Sequence, residues 1–183
     1  VAQYGGYITL SDMLMLTAID NNLVQATKLL GSQAGTTLDT ITREVLNGGT
    51  NVIYSGGVSS RTALVGGAES GNCYLTVEDI KKAVRALKNQ NAEKIGDSFV
   101  GIIHPDVAYD LTNDPMWEKV KSYDPKDWYE GEIGRIAGVR FVETTEAKIW
   151  AKAGASNRAV YSTLILGDNA YGVTEISGGG LQH

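Results

Sequence analysis

Apolar residues recur at helical spacing early in the chain. Leu16, Ile19, Leu23, Ala26 and Leu30 are three or four residues apart, which stacks them on one face of a helix. Ser11 and Asp12 offer side-chain oxygens to its free N–H groups, and Gly31 is a plausible stop. A second stripe, Leu38, Ile41 and Val45, predicts a helix over 33–47 with Gly48 behind it, and the two stretches can join into one long element. Before them, residues 4–10 read as a short strand, and residues 50–54 as another.

The pattern changes at residues 55–74, which hold Gly56, Gly57, Gly66, Gly67 and Gly71 with several serines. Glycine brings backbone freedom and no packing surface, so this is read as a loop and a boundary between lobes over 1–54 and 55–183. Beyond it Thr76 caps the clearest helix. Glu78 and Asp79 complement the positive end of its dipole, Ile80, Ala83, Val84 and Leu87 form its buried face, and the lysines and Arg85 face water. Residues 98–104 form a buried-type strand. Pro105 suits the first turn of the helix after it, where its missing N–H costs nothing. Asp114 and Pro115 open a short helix to Val120, residues 123–138 are rich in turns, and 139–143 are a strand. Residues 159–166 and 170–176 are strands joined by Gly167, Asp168 and Asn169, a hairpin signal. Helices and strands in these blocks predict an α+β fold.

Composition adds bounds. The 183 residues are 43% apolar and 20% charged, an ordinary globular balance. The net charge of −5 disfavours a broad basic surface for nucleic acid, although a local patch is compatible with it. One cysteine, Cys73, allows no internal disulfide. No apolar run approaches the roughly 18 residues of a membrane span. The start at Val1 and the end just past Gly178, Gly179 and Gly180 read as cuts from a longer protein.

Candidate chemistry is sparse. His104 and His183 are the only histidines and no Cys-x-x-Cys exists, so no metal site or cofactor is expected. His104, between a buried strand and a proline, reads as a hydrogen-bonded structural histidine. The stretch Gly57, Val58, Ser59, Ser60, Arg61 lacks the last glycine of an esterase elbow. Cys73 could approach His104 only through the fold. The glycine runs at 66–71 and 131–138 lack phosphate-loop spacing and read as turns. Trp117, Tyr123, Trp128 and Tyr129 crowd one stretch, where aromatics serve either a core or a subunit interface.

The residues taken alone end at an α+β domain without a recognisable active site. Several ordered motifs go further. Gln3-Tyr4-Gly5-Gly6-Tyr7-Ile8-Thr9-Leu10-Ser11-Asp12, Leu29-Leu30-Gly31-Ser32-Gln33-Ala34-Gly35, and Gly48-Gly49-Thr50-Asn51-Val52 are three of them. Ile102-Ile103-His104-Pro105, Gly131-Glu132-Ile133-Gly134 with Gly138-Val139-Arg140-Phe141-Val142-Glu143, and Leu166-Gly167-Asp168 with Ala170-Tyr171-Gly172-Val173 follow. Together they resemble a major capsid protein family of tailed bacteriophages and prophages, typified by phage N-four.

The resemblance implies the Hong Kong 97 coat-protein fold. It implies a peripheral spine-helix lobe at 1–54 and an axial lobe at 55–183, whose C-terminal hairpin returns toward the peripheral lobe. The N-terminal arm and extended loop of that fold are expected to be missing here. The implied function is a self-assembling shell subunit and not an enzyme, without cofactor or metal. The implied partners are its own copies in pentamers and hexamers, with scaffold, portal or decoration proteins, and neither a membrane nor a specific nucleic-acid sequence. The location would be the virion, and the host cytoplasm during assembly. Trp117, Tyr123, Trp128, Tyr129, Arg135 and Arg140 are the candidate subunit contacts. Two other readings stay open: a small hydrolase using acids near 129–143, and the shell of a cellular nanocompartment.

Overall fold

The computed structural model describes residues 4–17, 21–66, 73–117 and 134–173. The chain divides into two compact units, Val1–Val45 and Leu46–His183.

The first unit is helical. Helix α1 (Asp12–Thr17) precedes α2 (Asn22–Asn47), whose last two residues belong to the second unit. Residues 18–20, Ile19 among them, lie outside the described residues. Asn21 opens α2, its Oδ1 accepting from Val24 N at 3.3 Å. The two expected helical stretches are one element, and Gly31 is an interior residue of it. A lone glycine costs a helix only about 1 kcal/mol, which a helix of this length absorbs. Thr27, Thr36, Thr37 and Thr42 turn their hydroxyls back onto carbonyls four residues earlier, so they leave no unmet polar group. The half-buried face is Ala26, Leu30, Ala34, Thr37 and Ile41. Leu38 and Val45, expected on the buried stripe, are exposed instead. The expected strands at 4–10 and 50–54 are irregular, because no described segment supplies their ladder bonds.

The second unit holds the core. Two 3₁₀ turns, Ser55–Gly57 and Arg61–Ala63, occupy the glycine-rich stretch. Helix α3 (Val77–Asn89) follows its cap: Thr76 Oγ1 accepts from Asp79 N at 3.3 Å and donates to Asp79 Oδ2 at 3.0 Å. Strand β1 (Phe99–Ile103) runs into α4 (Pro105–Thr112). Strands β2 (Arg135–Ile136), β3 (Val139–Glu143), β4 (Ile149–Trp150), β5 (Val160–Tyr161) and β6 (Leu164–Leu166) follow among the described residues. The main sheet has the order β2-β3-β1-β6, with β1 and β3 parallel and the other pairs antiparallel. Strands β4 and β5 form a separate antiparallel pair. The fold is therefore α+β.

Alternation decides which sheet face is covered. Phe99 and Ile103 of β1 and Val139 and Phe141 of β3 point to one side, against Val77, Ile80 and Val84 of α3 and Val107, Ala108 and Leu111 of α4. Each large side chain buried there contributes about 1.5–3 kcal/mol relative to exposure. Trp117 closes the same core.

Two expectations about the C-terminal region need correction. The single strand expected at 159–166 breaks into β5 and β6, which serve different sheets. β6 pairs with β1; of the expected partner strand, residues 170–173 are irregular, and 174–176 lie outside the described residues. Asp168 N donates to Glu93 O at 2.8 Å, so the turn residues tie this segment to the loop that follows α3. β2 was hidden in a stretch read as turns, because two residues carry no period.

One acid joins two helix starts. Asp114 Oδ2 accepts from Val77 N at 3.0 Å, and its Oδ1 accepts from Met116 N at 2.8 Å. Asp114→Ala leaves both donors without that partner and is expected to cost about 2 kcal/mol, read as a lower urea midpoint with an unchanged slope.

Candidate interaction surface

Three features of the second unit face outward. The first gathers around the step from β1 to α4. His104 ends the strand and caps the helix, its Nδ1 accepting from Asp106 N at 3.1 Å. That bond uses the Nδ1 lone pair in the place a capping oxygen takes at other helix starts. Tyr161, brought in by β5, donates its hydroxyl to Asp106 Oδ2 at 2.8 Å, and its ring lies 5.0 Å from that of His104. Asp110 follows one turn later. Partial burial pushes its carboxyl above the ordinary value, and the charge of Asp106 adds to this. The hydrogen bond to Asp106 holds the Tyr161 phenol above its ordinary value, with burial and the two acids acting the same way.

This arrangement has a pH signature. The raised Asp110 value means that the folded state binds its proton more tightly than the unfolded chain. Stability therefore falls as pH rises from the unfolded value of 3.8 through the folded one. Asp110→Asn is expected to stabilise the protein near neutral pH by about 0.5 kcal/mol, screened as such surface pairs are, and the difference should vanish below pH 3.8. Thermal midpoints of both proteins across that range check it.

The second feature is a cavity of about 1060 Å³ between α3, residues 46–55 and the β5–β6 stretch. Cys73 lines it and His104 does not. Asp79 and Asp110 both border it, but the Asp79 carboxylate is engaged by Thr76 and Lys82 and is 6% exposed. Arg61 stacks on the Trp150 ring at 3.8 Å along the same wall. Of the acids near 129–143 named for a hydrolase, Glu130 and Glu132 lie outside the described residues, and the described one, Glu143, is not part of this lining. Among the described residues no group of three or more His, Cys, Asp or Glu side chains could hold a metal, and no helix is long and apolar enough to cross a membrane.

The third feature is charge on the helices. Lys81, Arg85 and Lys88 stand exposed on α3, while Lys82 bridges Glu78 at 3.1 Å and Asp79 at 3.3 Å. Those two acids raise the Lys82 ammonium above its ordinary value, Glu78 first. Among the described residues, what the molecule presents is thus patterned surface rather than a converging set of reactive groups.

A family of sequences described as phage capsid protein matches residues 1–175. The chain belongs to the phage capsid protein family. The capsid of Ralstonia phage GP4 has a similar fold, with a TM-score of 0.59 at 14% identity over 85% of this chain. The match covers 54% of that chain, so this capsid chain spans about half the length of its structural relative. At that identity the likeness speaks for the fold alone. No curated protein sequence matches the chain. Family membership makes the chain a structural protein and not an enzyme.

In this capsid chain the expected contact residues take different places. Trp117 is 2% exposed and lies in the core, one of the two roles its stretch of aromatics left open. Tyr123, Trp128 and Tyr129 lie outside the described residues. Arg135 and Arg140 are exposed and stand opposite each other across β2 and β3. The cluster of Asp106, Asp110 and Tyr161 was not singled out from the sequence. The i, i+4 spacing of the two acids on α4 was legible there, but the arrival of Tyr161 from 55 residues beyond Asp106 was not.

Proposed function

We propose that this chain is the shell-building part of an icosahedral phage capsid subunit, which associates with its own copies in pentamers and hexamers to enclose the genome. The observation that carries the reading is the family match over residues 1–175. In this reading the long helix α2 is the spine of a peripheral lobe that reaches to about Tyr54. The sheet with α3 and α4 belongs to an axial lobe from Ser55 onward, as in the Hong Kong 97 coat-protein fold. Support comes from a 26-residue helix with no fully buried residue, which suits an element meant to be covered by neighbours. Tyr123, Trp128, Tyr129, Arg135 and Arg140 are the subunit contacts proposed around the capsomer. Scaffold, portal or decoration proteins are further partners, and the place of action is the virion, after assembly in the host cytoplasm.

A shell is built from many modest, repeated interfaces, and no single contact has to hold a pair by itself. The test is electron microscopy of the full-length protein expressed alone and with any scaffold encoded beside it. Closed shells of uniform diameter are expected. A protein that stays monomeric in both arrangements, at concentrations and salt that favour assembly, would overturn the reading.

A further inference from the structure

Helix α3 has three flanks with different tasks. Ile80 and Val84 enter the core. Asp79, Ala83, Ala86 and Gln90 border the cavity. Lys81, Arg85 and Lys88, at i, i+4 and i+7, form an exposed basic stripe on the flank turned away from that cavity. None of the three has an acidic partner among the described residues. A shallow groove of about 360 Å³ runs beside the stripe, between it and Ala137 of the β2–β3 turn.

Helix stability does not account for the stripe. Like charges three and four residues apart weaken a helix by about 0.2–0.5 kcal/mol per pair, and only Lys88 lies in the last turn, where the dipole favours a cation. The chain as a whole carries five more acids than bases, so the stripe concentrates positive charge on an acidic molecule.

Helix α4 carries the complement. Asp106 and Asp110 are one turn apart, beside the exposed ring of Tyr109. They too repel each other, and the raised Asp110 carboxyl records part of that repulsion. Asp110 borders the cavity and the basic stripe faces away from it, so the two patches of one copy point in different directions. The spacing matches: four residues along either helix is about 6 Å, so Lys81 and Arg85 of one copy can meet both acids of another.

We propose that the Lys81, Arg85 and Lys88 stripe of α3 docks on the Asp106–Asp110 turn of α4 in a neighbouring copy. The proposal rests on the shell-subunit reading and names the surface through which copies meet. The patches differ, so the contact is head-to-tail and propagates around a ring until it closes. Like charges brought together across such a contact oppose association by several-fold to many-fold, and opposite charges steer it.

The experiment uses the full-length protein. Lys81→Glu with Arg85→Glu should reduce the yield of shells about tenfold or more at physiological salt. These positions are fully outside the core, so a thermal midpoint equal to the parent's shows that the variant folds. Asp106→Lys with Asp110→Lys should reduce the yield similarly, and the four substitutions combined should restore it, because the attraction is then re-created with its signs exchanged. A folded Lys81→Glu, Arg85→Glu protein that forms shells in the parent's yield overturns the contact. So does one that assembles normally but loses only bound nucleic acid, which would make the stripe a polyanion site. A folded four-fold variant that stays unassembled also overturns it. If the parent itself forms no shells, the reading beneath the contact falls, and the contact falls with it.

Discussion

Gly101→Val is expected to destabilise the protein by about 3 kcal/mol, at the upper end of what overpacking costs. Gly101 is the middle residue of β1, in register with Phe141 on one side and Ile165 on the other. A Cβ there would lie 2.6 Å from Phe141 Cδ1, 2.7 Å from Phe141 Cε1 and 3.0 Å from Val139 Cγ1. Neither neighbour has anywhere to go, because Phe141 and Val139 are 1% and 0% exposed. The glycine lets the Phe141 ring lie across the strand and fill the space a side chain would take. Chemical denaturation should show a lower midpoint with an unchanged slope. Gly101→Ala should act in the same direction with a smaller effect. Phe141→Leu in the valine background should recover part of the loss, since the two sites share one volume and their effects cannot add. An unchanged midpoint for Gly101→Val would mean that the sheet face is not packed as described.

Trp117→Ala should cost about 3–5 kcal/mol. The indole is among the largest fully enclosed side chains and belongs to the cluster built from α3, α4 and the sheet. Its removal leaves a cavity whose walls come from several elements, so local collapse recovers little. Trp117→Phe keeps an aromatic there and should cost distinctly less. A denaturant midpoint measures both. Trp117 is also the described tryptophan most shielded from water, so iodide should quench less of the parent's emission than of the unfolded chain's. If Trp117→Ala leaves stability untouched and alters only association, the side chain belongs to an interface and its placement in the core is wrong.

Some elements were legible in the residues alone. Helix α3 is the clearest: the Thr76 cap, the acids of the first turn and the Ile80, Val84 face all involve atoms within one or two turns of each other. The step from β1 to α4 is similar, since Pro105 at the first helical position and His104 before it act on neighbouring N–H groups. The long α2 is legible as periodic: Ala26, Leu30 and Ile41 of the expected stripes are half-buried, but Leu23, Leu38 and Val45 are exposed, and Ala34 and Thr37 share the half-buried face instead. Small residues do not announce the side on which another segment packs. The role of His104 as a structural, hydrogen-bonded side chain could be anticipated. Its tilted ring contact with Tyr161 could not, because β5 is far along the chain.

What the sequence determined by itself is what short-range physics controls. That covers the starts of α3 and α4, the alternation of β1 and β3, the α+β class and, through ordered motifs, the capsid family. The tertiary structure decided the pairings. It placed β3 parallel beside β1, took β6 away from its chain neighbours to the other edge of β1, and sent β5 to a separate pair. It also turned Trp117 into the core and set the basic and acidic patches on different flanks. A strand's partner is chosen by which distant segment can share its ladder bonds and bury the same face. That choice depends on the free energy of the whole assembly of elements, and no window of a dozen residues contains it.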